Sequence, residues 1–545
     1  MNPHASTKCT GRLLMALAAI ASILFAAGCG SSSPTANKGG FGPSSLTGTY
    51  VFSSDGVDAS GYPLALAGTL VANGSGGITG GTIDVIDPAI TNPPTTAAQS
   101  ITSGSYTVGI DGRGKATLKS SYPTFTLDFV LTSTSHGLVS EFDSYGTGSG
   151  TIDLQTAVTS LSQLAGPYAF SLAGSDSVNS GLNPFAAAGA FTLNASGAST
   201  AGVEDFNDNG IVYTGESLTA TATLGSGTGP GAITLTANLG TLTFDFYPID
   251  STHWKIIETD YAEFFAGDVF TQTGASIPTG TMVFTMAGGN STTDIANGGF
   301  MTSDGTGNFS NGLEDINING AVSPAQLAFS GSATSGTAST RVVVALSGFD
   351  PATQWVIYPS SGRLLMLETD SSAVTTGAAY AQSATSFTAP GGYGLNLSGI
   401  NANGPVNYIA QFDATSTASP AANMTGILDD NEYAVTAGDL SLSGTYTPDS
   451  PADGRGLITA PTTGSLGTYN GELILQYYVV DDSTVVFIDV DSSSEISGGQ
   501  VGAGTFEAQS SSLICQLCGV ARRAISMVRP LVHPAVRPHA ALQRK

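Results

Sequence analysis

Apolar and polar residues alternate in short runs along most of the chain, and clusters of Gly, Asn, Asp, Ser or Pro separate the runs. A period of two marks a strand with one buried face, and such clusters end it. The first stretch predicts eight strands, at 47–56, 64–73, 77–86, 100–110, 115–121, 124–132, 137–143 and 151–155. Their connections are hairpin turns, because Asn and Asp tolerate left-handed backbone and Gly enters it at no steric cost. N-G-S-G at Asn73, N-A-S-G at Asn194 and D-G-T-G at Asp304 occupy one turn position, and D-G-R-G recurs at Asp111 and Asp453.

The pattern repeats four times. T-G-T-Y-V-F at Tyr50, A-G-P-Y-A-F at Tyr168, T-G-T-M-V-F at Met282 and G-G-Y-G-L-N-L at Tyr393 open similar stretches, spaced by 118, 114 and 111 residues. Gly-rich segments closing on Gln155, Gln272, Gln382 and Gln509 end them. Periods this long give each unit its own core. We therefore expect an all-β chain of four tandem antiparallel modules of about eight strands, at 46–156, 164–273, 277–383 and 389–510. An up-and-down barrel is preferred over a β-sandwich, because no long Greek-key crossover is evident and closure removes exposed edges. The opening L-T-G-T-Y at 46–50 resembles the first strand of avidin-like and lipocalin-like barrels.

Charge divides the 545 residues into three parts. Only 10% are charged and the net charge is −25, yet all 41 acidic residues lie between Asp55 and Glu507. That body holds seven basic residues and carries −34. It lacks the cationic surface that neutralises phosphates, so nucleic-acid binding is not expected.

Before the body, Lys8 and Arg12 precede an apolar run from Leu13 to Ala27, too short to span a bilayer. The run ends in A-A-G-C, with Gly28 before Cys29 and a small polar stretch after it. This order resembles the lipobox of bacterial lipoproteins, with Ala26 where that family more often has Leu. The resemblance implies a signal peptide at 1–28, lipidation with a palmitate-type acyl chain at Cys29, and a flexible linker at 29–45. Gly30 rather than Asp after the Cys implies sorting to the outer membrane of a diderm bacterium, on its periplasmic or surface face. After the body, residues 511–545 contain no acid and hold Cys515 and Cys518 in a lone C-x-x-C. This basic tail reads as a disordered arm or as a peptide appended by a shifted frame. The body has no Cys, which excludes a disulfide scaffold and any thiolate site there.

Candidate chemistry lies in two recurring acidic positions. The third strand of each unit has Asp84, Asp205, Asp315 or Asp429, with Asn207, Asn317 and Asn431 two residues on in the last three units. The seventh has Glu141 with Asp143, Glu258 with Asp260, Glu368 with Asp370, and Asp489 with Asp491. Carboxylates two apart on a strand share a face. They suit turn capping or a charged rim, Ca²⁺ ligation, or acid–base work on a glycoside. Asp205, Asn207, Asp208 and Asn209 are the candidate calcium ligands, without a full EF-hand loop. No other cofactor is implied. His136 and His253 read as turn residues, and Trp254 and Trp355 as core or as a sugar-stacking platform. Four copies of one feature suit a structural or multivalent role better than an active site. As a whole the chain resembles tandem β-repeat lipoproteins of bacterial envelopes. A non-catalytic structural, adhesive or ligand-binding role is expected, with membrane and carbohydrate as partners. The alternative is an enzyme acting on envelope polysaccharide through a strand-seven pair.

Overall fold

The computed structural model describes residues 40–88, 98–176, 182–227, 229–238, 240–260, 263–334, 340–415, 422–461, 472–492 and 499–510. The leader, Cys29 and the tail lie outside them. The described body is all-β and forms four closed, eight-stranded antiparallel barrels.

In the first barrel the strands run Thr47–Asp58, Pro63–Asn73, Gly77–Ile86, Ser103–Val108, Arg113–Lys119, Phe125–Leu131, His136–Glu141 and Gly146–Leu154. The first strand pairs with both the second and the eighth, which closes the sheet. The other barrels repeat this plan from Gly166 to Thr271, from Thr279 to Ala381 and from Gly391 to Ala508. The sandwich alternative is thereby set aside. In the first three barrels the second-to-third hairpin is fixed by its turn residue: Asn73 Oδ1 accepts from the backbone N–H of Ser75 and Gly77, Asn194 from Ser196 and Ala198, and Asp304 from Thr306 and Asn308.

Each barrel buries its own apolar interior. Eight strands enclose a space that side chains just fill, and large aromatics fill it here. Trp254 packs against Tyr168 and Phe246, and Trp355 against Phe284, Phe329 and Phe349. Both tryptophans are fully buried, so they form core and not a sugar-stacking platform. Small residues make room for the rings. A Cβ on Gly231 would come within 2.3 Å of the Phe246 ring, which lies directly across the sheet.

The outer faces are apolar where barrels meet. One cluster joins Ala186, Ala188 and Phe270 of the second barrel to Val283, Leu365 and Tyr380 of the third and to Tyr478, Ile488 and Val501 of the fourth. A second joins Val51 and Ile86 to Tyr247, Ile257 and Phe264 across the first and second. A third puts Val130 and Leu138 of the first against Ile409 of the fourth. Strands one to three of one barrel lie chiefly on strands six to eight of the next, and the fourth barrel returns to the first. The result is a closed ring with quasi-fourfold repetition. Burial of both strand faces accounts for a mean hydropathy of +0.15 in so acidic a chain.

Candidate functional site at the barrel junctions

The two recurring acidic positions belong to one structure. On the third strand the carboxylate takes a tyrosine hydroxyl from the following barrel. Tyr247 donates to Asp84 at 2.5 Å, Tyr358 donates to Asp205, and Tyr478 donates to Asp315 at 2.6 Å. An arginine meets three of the four third-strand carboxylates. Arg341 Nη1 lies 2.7 Å from Asp205, Arg455 Nη2 2.7 Å from Asp315, and Arg113 Nη1 3.3 Å from Asp429. At the closing junction Val130 stands where the other barrels carry tyrosine, and its partner is the apolar Ile409.

The asparagines two residues on plug into the turn after the seventh strand of the next barrel. Asn207 Nδ2 donates to the carbonyls of Glu368, Asp370 and Ala373. Asn317 donates to Asp489 and Gln500, and Asn431 to Glu141 and Gly146. The acidic pair of the seventh strand builds that turn. Its first member ends the strand and is no more than 1 % exposed in any of the four barrels. Glu258 accepts from Phe265 N–H, Glu368 from Ala373 N–H and from the hydroxyls of Ser372 and Thr375, and Asp489 from Asp491 N–H and Gln500. The second member lies just beyond the strand and caps the start of the sixth: Asp143 accepts from Thr126 N–H, Asp260 from Thr243, Asp370 from Thr353 and Gln354, and Asp491 from Ile474.

This placement corrects the picture of two carboxylates side by side on one strand face at a solvated rim. The strand ends between them, and the first is buried. Burial pushes the Glu368 carboxyl up to about 8 and raises Glu141 well above the usual range. The Asp205–Asn209 run is divided as well. Asp205 and Asn207 are tied to the third barrel, whereas Asn209 sits in the turn with φ of 46°. Among the described residues no group of three or more His, Cys, Asp or Glu side chains is arranged to hold a metal ion.

The glutamines that close each repeat are a further set of staples. Gln155 Nε2 donates to the Pro248 carbonyl, Gln272 to Thr340, Gln382 to Asp453 and Val479, and Gln509 to Asp111 and Leu131. Each reaches the next barrel, and Gln509 closes the ring.

A buried charge network lies where the seventh and eighth strands of the four barrels converge. His136 Nδ1 is 2.6 Å from Asp153, and its Nε2 is 3.2 Å from Glu507 of the fourth barrel. In the second barrel Asp268 receives Lys255 at 2.6 Å and His253 at 2.7 Å. Arg363 of the third barrel stacks 4.3 Å from the Phe270 ring centroid. Burial opposes a charged His136, but the two carboxylates outweigh it and push its pKa up to about 10. His253 is lowered, chiefly by burial. Against burial, Lys255 and His253 hold Asp268 at about 2. His136, Lys255 and Arg363 thus face Asp153, Asp268 and Glu507, and the lowered pKa of His253 favours its neutral form. His136 and His253 begin seventh strands and are not turn residues. The signal that acidic recurrence hides is carried by five of the seven basic residues of the body: Arg113, Lys255, Arg341, Arg363 and Arg455 stand at junctions.

No family model and no curated protein matches the chain. Among solved structures, a mutant of the vaccine antigen Transferrin Binding Protein B from Haemophilus parasuis Hp5 aligns with 10% identity over 69% of this chain and 83% of that one. The TM-score is 0.17, too low to carry any conclusion about fold or function.

Proposed function

We propose that this is an exported envelope protein, anchored by a lipid on Cys29, in which four barrels form one rigid ring with a structural, adhesive or ligand-binding role. In this reading residues 1–28 are the signal peptide, 29–45 the tether and 511–545 a basic appendage. The outer membrane, on its periplasmic or surface face, is the proposed location, and a carbohydrate or other envelope component the proposed partner. The observation that supports it is the use of the recurring polar residues. Asp205, Asn207, Asp315, Asn317 and Gln382 bind one barrel to the next, as expected of a scaffold built to hold its shape.

Cys29→Ala tests the anchor. The wild-type protein should fractionate with membranes and carry an acyl mass on Cys29, while the variant should be soluble and lack it. An unmodified Cys29 in the native protein would contradict the reading. Turnover of an envelope glycan that is lost in Glu258→Gln would replace the scaffold with an enzyme.

A further inference from the structure

One junction lacks the cation that the other three possess. Strand register fixes the equivalence: Gly114 lies opposite Phe129, Gly231 opposite Phe246, Val342 opposite Ile357 and Gly456 opposite Tyr477. The preceding residues are Arg113, Pro230, Arg341 and Arg455. Pro230 therefore stands where an arginine would meet Asp84. A second cation is missing beside it. In the first barrel Lys115 pairs across the sheet with Asp128 at 3.0 Å, whereas the second has Ala232 opposite Asp245.

The groups left behind are all oxygen donors. Asp84 is 2 % exposed, and its Oδ2 accepts from Tyr247. Its Oδ1 is buried and meets no donor among the described residues, and neither does the buried hydroxyl of Tyr122. Tyr122 is close enough to feel the Asp84 charge. Asp245 lies two residues before Tyr247 on one strand and so shares the face from which Tyr247 reaches Asp84, close enough for its charge to act on Asp84. Asp245 and Tyr122 are half-buried, which leaves a path from solvent.

We propose that the junction between the first and second barrels is a divalent-cation site, in which Asp84 and Asp245, with the Tyr122 hydroxyl, take one Ca²⁺ where the other junctions take an arginine. Two carboxylates carry the charge that one divalent ion neutralises, and an oxygen-only donor set selects a hard cation. Water completes the shell, so affinity falls in the range of about 10⁻⁴–10⁻³ M found for extracellular modules.

Equilibrium dialysis of the full chain against ⁴⁵Ca²⁺ at neutral pH, at about 1 mM, tests the site. The wild-type protein should bind between about half and one Ca²⁺ per chain more than either Asp245→Asn or Pro230→Arg, as one site of that affinity requires. The second variant restores a guanidinium without removing a carboxylate, so it guards against a folding defect in the first. Equal Ca²⁺ binding by all three proteins, or none by the wild type, would overturn the proposal.

Discussion

His136→Leu is expected to cost about 3–5 kcal/mol, the range for removing one partner of a buried ion pair. It leaves Asp153 and Glu507 buried without their cation, 2.6 Å and 3.2 Å from where the imidazole nitrogens were. The sign of its pH dependence is fixed by the raised pKa. A folded-state value of about 10 against about 6.5 unfolded means that the contribution is complete below about pH 6.5 and is lost as pH rises through about 10. Denaturant unfolding at pH 6 and pH 10 should show a large gap between wild type and variant at the lower pH and a small one at the higher. Adding Glu507→Leu should recover part of the loss, since a buried ion pair replaced by apolar groups is often neutral. A His136→Leu protein as stable as wild type at pH 6 would mean that the network does not hold the first and fourth barrels together.

The second large effect is the pH profile of the whole molecule, whose thermal midpoint should be highest near pH 4–6 and fall steadily toward pH 9. Burial raises Glu314 and Glu368 to about 8 and Asp430 to about 8, and lifts Glu141 well above the usual range. A group with a raised folded pKa binds its proton more tightly when folded, so stability declines as pH climbs from the unfolded toward the folded value. A tenfold difference in proton affinity between the folded and unfolded chain is worth about 1.4 kcal/mol, so several such carboxyls together give a marked slope. Asp268, held near 2, acts oppositely: its contribution is complete above about pH 4 and is lost as pH falls through about 2. Differential scanning calorimetry across pH 3–9 measures the profile. Glu368→Gln should flatten it without lowering the midpoint at pH 9. A midpoint that rises from pH 5 to pH 9 would show that these carboxylates ionise freely in the folded protein.

The barrels were legible in the sequence because period-two alternation and Asx–Gly turns are local signals. Third-strand limits of 77–86 follow directly from turn residues at both ends. The recurrence of Asp and Asn on that strand was legible as well. What it does was not, because the partners of Asn207, Asn317 and Asn431 are backbone carbonyls more than 150 residues away, and carbonyls leave no trace in residue identity. The seventh-strand pairs misled for a related reason. Two acids at spacing two share a face only while the strand continues, and here it stops at the first. The network around His136 was invisible because its members recur at matched positions with different side chains: His136, His253, Arg363 and Thr484 each begin a seventh strand. The opposed charges there meet once, across four barrels, and a repeat alignment looks only for sameness.

The central claim is that the four barrels form one closed ring and are not beads on a string. Small-angle X-ray scattering of the purified protein near pH 6 tests it directly. A compact body of this length has a radius of gyration of about 24 Å, whereas four independent barrels in a chain would exceed about 35 Å. The ring predicts the smaller value with a single compact distance distribution, and a value near the larger one, with several separated maxima, would contradict it.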